Sequence, residues 1–229
     1  SMHLARRQSD LQLYSPAGLD EIILLQLKHA RSALSYRICF HPIKEGARYT
    51  LFEDNEIQIE AFPLNHRIPC SGFLFAEKIK AHRIIKEKLP EHILLQHIAL
   101  LKQGKDVLDE KGVIKYKAAE YTYPPHHSRS FAYCSDTAYS PQISSIIRNV
   151  DLCYHEATFK TEDLQKATET YHSTAAQAGK IAKEAGVKKL LIGHISARYK
   201  NQAEVLAEAK SEFENTERAQ EGNTYSVDV

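Results

Sequence analysis

Leu190-Leu191-Ile192-Gly193-His194-Ile195-Ser196-Ala197-Arg198-Tyr199 is a short apolar strand that stops at an imidazole. Two upstream stretches end the same way. Ser130-Phe131-Ala132-Tyr133-Cys134-Ser135 runs into Asp136-Thr137, and Asp151-Leu152-Cys153-Tyr154 runs into His155-Glu156. Helical stretches lie between them, so the order is strand, helix, strand, helix, strand. Right-handed crossovers make such strands parallel and bring their carboxyl ends to one edge, where open α/β sheets bind ligands. The pattern therefore predicts an α/β fold with an Asp, a His-Glu pair and a His on one rim.

Working outward, the last crossover is marked by Ser173-Thr174, which caps a helix over 175–185, and by Gly186 at its end. A last helix over 203–214 precedes an edge strand over 224–229. Toward the N-terminus, Glu56 to Ala61 alternates polar and apolar residues and leads through Pro63-Leu64 to Asn65-His66. Gly72 to Ala76 returns as the next strand, which places His66 in a connecting loop. Further strands read at 11–14, 36–41 and 49–53. Residues 1–7 resemble the tail of a helix. Ser15-Pro16 predicts the start of a helix whose apolar face carries Leu19, Ile22, Ile23, Leu27, Ala30 and Leu34.

From Glu77 to Lys117 no period dominates. Lys78, Lys80, Arg83, Lys86, Lys88, Lys102 and Lys105 interleave with apolar residues, which reads as a partly helical insertion over about residues 77–120 in a domain spanning 1–229. The 30 Lys+Arg against 29 Asp+Glu leave a net charge of +1, so no global field announces a nucleic-acid binder. Four widely spaced cysteines, with no Cys-x-x-Cys, read as buried thiols in a reducing, cytoplasmic setting. No apolar run reaches the roughly 18 residues of a membrane span, so no membrane partner is expected.

Among twelve histidines, position singles out a few. His66, Asp136 and His194 each end a strand or open the loop after it, and imidazole with carboxylate suits zinc or manganese. His172, at the start of a helix, reads either as a local capping residue or as a proton donor to a leaving oxygen. His155 and Glu156 read either as core polar residues or as partners that orient ligands.

The motifs Ser135-Asp136-Thr137, His155-Glu156-Ala157-Thr158-Phe159, Tyr171-His172-Ser173-Thr174 and Gly193-His194-Ile195-Ser196-Ala197-Arg198-Tyr199 resemble, in order and spacing, those of ribonuclease Z. Phe62-Pro63-Leu64-Asn65-His66 fits the same series. That family comprises the tRNA 3′-processing endonucleases of the metallo-β-lactamase superfamily. The resemblance implies an αββα sandwich and two zinc ions per complete active site. His66 would bind one zinc, Asp136 would bridge both and His194 would bind the other. Hydroxide would attack phosphorus, with His172 assisting departure of the ribose oxygen.

The insertion matches the place of the family's tRNA-gripping arm, so Lys78, Lys80, Arg83, Lys86, Lys88 and Arg198 become expected contacts for precursor tRNA. The family's His-x-His-x-Asp-His motif does not occur in these residues. The expected reading is a partial domain lacking its N-terminal portion, inactive alone, with uncovered sheet that favours a homodimer. Rival readings are a phosphodiesterase of the same fold for small esters or cyclic nucleotides, and a non-catalytic fragment.

Overall fold

The computed structural model describes residues 6–31 and 33–227. Along the chain come β1 (Leu11–Ser15), α1 (Leu19–His29), β2 (Ile38–Pro42), β3 (Tyr49–Glu53), β4 (Ile57–Leu64) and β5 (Cys70–Glu77). Short elements follow: β6 (Arg83–Ile84), α2 (Leu95–Lys102), β7 (Val107–Leu108), β8 (Ile114–Tyr116), α3 (Ala118–Tyr121) and β9 (Thr122–Tyr123). The last stretch contains β10 (Ser130–Cys134), α4 (Gln142–Ile146), β11 (Leu152–Glu156), α5 (Leu164–Glu169), α6 (Ala175–Ala185), β12 (Lys189–Gly193), α7 (Gln202–Glu212) and β13 (Thr216–Arg218). Among the described residues no helix is long and apolar enough to cross a membrane.

Two compact units divide the chain. One comprises residues 1–52, 59–75 and 130–229, the other residues 53–58 and 76–129. The principal sheet has seven strands in the order β13-β12-β11-β10-β5-β4-β3. Strands β10 to β13 pair in parallel, with Cys134 opposite His155 and His155 opposite Ile192. The carboxyl ends of β10, β11 and β12 therefore share one rim, as the strand-helix order predicts.

Small side chains hold the helices close to this sheet. In α6, Ala175, Ala178, Gly179, Ile181, Ala182 and Ala185 are buried, the i, i+3, i+4, i+7 pattern of one helical face. A Cβ on Gly179 would lie 2.6 Å from the Ala209 carbonyl oxygen of α7, so only glycine permits that approach. The core joins these residues to Ala132, Cys134, Cys153, Leu190 and Ile192 of the sheet and to Ile143 and Ile147. The side-chain hydrogen bond with Cys153, together with burial, holds the Cys134 thiol well above its usual pKa. Thr174 and Gln177 form a reciprocal capping box, and Gly186 ends α6 in the left-handed region.

The second unit has a smaller core of Leu101, Val107 and Ala118, with Ile84, Ile93, Leu100, Tyr116 and Tyr121 against it. At its base the Arg129 guanidinium and backbone N–H hold the Glu77 carboxyl down to about 2.

Three local expectations are corrected. Helix α1 begins at Leu19, behind Gly18 at φ 89° and without a side-chain cap, not at Pro16. Ser15 is instead the last residue of β1, and its hydroxyl donates to the Pro16 carbonyl at 3.2 Å. The edge strand is Thr216–Arg218, pairing with β12, whereas residues 224–227 form no strand and 228–229 lie outside the described residues. The helical tail read at the N-terminus falls mostly on residues 1–5, also outside them.

Candidate metal centre

Asp136 and His194 lie just beyond the ends of β10 and β12, each with left-handed backbone, at φ 57° and 56°. That conformation costs a side-chain-bearing residue about 1–2 kcal/mol, and such strain concentrates at functional sites. Here it turns the chain sharply off the strand, and His194 Nε2 comes 3.3 Å from Asp136 Oδ1. Both side chains are 44% exposed, so the pair opens to solvent. The His66 loop is tied to the same rim. Asn65 N–H donates to Thr137 Oγ1 at 3.1 Å, and Ala138 N–H donates to the Asn65 carbonyl at 2.8 Å.

Glu156 organises the centre from below. It has no exposed surface, yet both carboxylate oxygens are occupied. Oε1 accepts from Thr137 N–H at 2.6 Å and from His172 Nδ1 at 2.9 Å. Oε2 accepts from the Thr158 hydroxyl at 2.5 Å and from Ser173 N–H at 3.1 Å. An ionised carboxylate offers about four lone-pair sites, so Glu156 is saturated. Its ligand atom falls with those of Asp136, His172 and His194 inside a set spanning 4.8 Å, but its chemistry is that of an anchor.

The same bonds fix three imidazole tautomers. The Thr158 hydroxyl gives its only proton to Glu156, so it must accept the His194 Nδ1–H at 2.8 Å. Glu156 can only accept from His172 Nδ1. The Tyr171 carbonyl can only accept from His66 Nδ1, at 3.0 Å. All three rings thus have Nδ1 occupied, which leaves Nε2 as the nitrogen available to a ligand, and in His194 that atom already lies beside Asp136 Oδ1. They form a row, with ring centroids 5.3 Å apart between His66 and His172 and 5.2 Å between His172 and His194.

Of the residues singled out from sequence, Asp136, Glu156, His172 and His194 come together, while His66 lies outside that set and adjoins it through the His172 ring. His155 does not join them. Consecutive strand residues point to opposite faces, and His155 turns toward the helix-packed core. Its Nδ1 donates to the Glu156 carbonyl at 2.7 Å, its Nε2 is buried without a partner, and burial pushes its pKa down.

The basic residues are largely engaged. Lys78 pairs with Glu53 at 2.7 Å and Lys80 with Glu77 at 3.8 Å, while the Arg83 guanidinium lies over the Tyr123 ring. Lys86 and Lys88 are exposed on a single helical turn. Arg198 lies 5.0 Å over the Phe159 ring and 3.5 Å from Asp163.

Thr158 and the backbone of Tyr171 are the participants that sequence reasoning passed over. Thr158 stands two residues beyond Glu156, just past the end of β11. Nearby, Tyr154 stacks on Tyr133 at 4.9 Å, and burial beside it lifts its phenol to about 12. The Tyr154 hydroxyl fills the space over Gly193 that a Cβ would need.

No protein-family model matches the chain. A ribonuclease Z from Cytophaga hutchinsonii is 42% identical over 227 residues, covering 99% of this chain and 72% of that protein. One from Bacteroides fragilis is 40% identical over 225 residues, covering 98% and 74%. The chain belongs to the ribonuclease Z family. Among solved structures, human tRNase Z, short form, superposes with a TM-score of 0.64 at 20% identity, covering 98% of this chain and 70% of that one. The metallo-β-lactamase fold protein YhfI from Bacillus subtilis gives 0.55 at 17% identity, covering 91% and 61%. At such identities these two likenesses establish the metallo-β-lactamase fold alone, which agrees with the ribonuclease Z assignment from the closer sequences.

Proposed function

We propose that this chain carries part of a zinc-dependent ribonuclease Z active centre, which cuts precursor tRNA at its 3′ side and leaves a 3′-hydroxyl. The observation that carries the reading is the row of three imidazoles, each with Nδ1 occupied, and Asp136 beside Nε2 of His194 on one rim. That donor set of imidazoles and a carboxylate fits divalent zinc, which His66, Asp136 and His194 would hold. Bound metal supplies Lewis acidity at the phosphoryl oxygens and a nucleophilic water at neutral pH.

The chain's own groups do the rest. Glu156 accepts from Nδ1–H of His172, so Nε2 is the atom that faces the departing ribose oxygen and, in the imidazolium form, gives it a proton. Through the Thr158 hydroxyl it also holds the His194 ring in its ligating tautomer. Residues 77–120 are the arm that contacts tRNA, with Lys86 and Lys88 its exposed cations, while Arg198 contacts RNA near the rim. The four unpaired cysteines suit the cytoplasm. The exposed apolar side chains of α1, Ile22, Leu24 and Leu25, support a homodimer.

Three metal-binding side chains do not make a two-metal site, and the 229 residues contain no His-x-His-x-Asp-His to complete one. The chain alone therefore binds a 3′-extended precursor tRNA without cutting it at an enzymatic rate. Incubation of the purified 229-residue chain with zinc and labelled precursor tests this directly. Efficient cleavage would overturn the claim of incompetence, and failure to bind RNA would overturn the substrate class.

A further inference from the structure

Tyr171 occupies a position where the backbone calls for glycine. It follows α5, its φ is 59°, and the next residue's N–H (His172) returns to the Ala167 carbonyl at 2.8 Å. A backbone of this kind closes many helices, and the left-handed residue is usually glycine because any Cβ is strained there. Here the strained residue carries one of the largest side chains. Nor does the ring recover the cost by burial, since Tyr171 remains 41% exposed.

The backbone has a use that glycine would serve equally well: its carbonyl accepts the His66 Nδ1–H. The ring needs a separate reason. It forms a T-shaped pair with the His66 ring, with centroids 6.4 Å apart at 86°, at the end of the row of imidazoles. A partly exposed tyrosine at the side of a phosphodiester-binding centre matches the way single-stranded nucleic acid is held, by a base stacking on the ring while the backbone is gripped by charge.

We infer that the Tyr171 ring is a stacking platform for a nucleobase flanking the scissile phosphate. This inference rests on the RNA-cleaving reading above and adds to it the contact that seats the strand. Tyr171 is thus a binding residue whose side chain is retained against the preference of its own backbone.

The test compares the 229-residue chain with Tyr171→Gly and Tyr171→Phe, using fluorescence anisotropy with a 3′-extended tRNA acceptor minihelix. Tyr171→Gly should raise the melting temperature by roughly 2–4 °C, through relief of the strained cap. It should also weaken RNA binding about tenfold, equivalent to about 1.4 kcal/mol, whereas Tyr171→Phe should bind within about twofold of the parent. With abasic nucleotides on both sides of the scissile phosphate, the parent and Tyr171→Gly should bind alike. Unchanged affinity of Tyr171→Gly for the intact RNA overturns the inference, whatever happens to the melting temperature. So does a loss that persists on the abasic RNA, since that would be a structural effect. If the parent chain itself does not bind the minihelix, the RNA reading fails and the inference falls with it.

Discussion

Helices α1 and α6 have eleven residues each and opposite fates. Helix α1, Leu-Asp-Glu-Ile-Ile-Leu-Leu-Gln-Leu-Lys-His, is rich in leucine and isoleucine, yet none of its residues is buried. Ile22, Leu24 and Leu25 are each more than half exposed. Helix α6, Ala-Ala-Gln-Ala-Gly-Lys-Ile-Ala-Lys-Glu-Ala, is far less apolar and buries six residues. Composition gives a helix something to bury, but only a facing layer buries it. Alanines and Gly179 let α6 approach α7 and the sheet closely, and that approach fixes the loop bearing His172 at its N-terminus.

The comparison can be broken most forcefully at Ile181, which is 1% exposed. Ile181→Ala should cost about 2–5 kcal/mol, read as a lowered urea midpoint at unchanged slope. A loss under about 1 kcal/mol would show that α6 is not packed as described. Next in size is Thr174→Ala, which opens the capping box with Gln177 and should cost about 1 kcal/mol in the same titration. No loss there would mean that the cap contributes nothing to anchoring the His172 loop. The smallest effect belongs to α1. In dilute chain, Leu25→Gln should change stability by no more than about 0.5 kcal/mol. A loss above about 1 kcal/mol would mean that this face already packs against something, and the contrast with α6 would dissolve.

Much of the half that carries the candidate site was legible in the sequence because its signals are local. Apolar runs ending in Asp136, Glu156 and His194 announce strand ends, and Ser173-Thr174 with Gly186 brackets α6. The signals that misled were local too. Ser15-Pro16 has the chemistry of a helix start, but the chain extends β1 through Ser15 beside Pro42 and turns at Gly18. Residues 216–218 look unlike a strand, yet β12 offers them a free edge and pairs with them. The second unit, built from two- and three-residue strands and short helices, is too brief in each element for periodicity to register.

The sequence by itself determined which residue types reach the rim, since alternation within a strand and the order of strands and helices are properties of neighbours along the chain. Tertiary structure alone decided how those residues are held. The His66 tautomer depends on a carbonyl 105 residues away, and the His194 tautomer on a hydroxyl 36 residues away. Glu156 is an anchor because donors from three separate segments fill its oxygens. Hydrogen bonds form between atoms that folding brings together, and one-dimensional spacing carries no record of those distances.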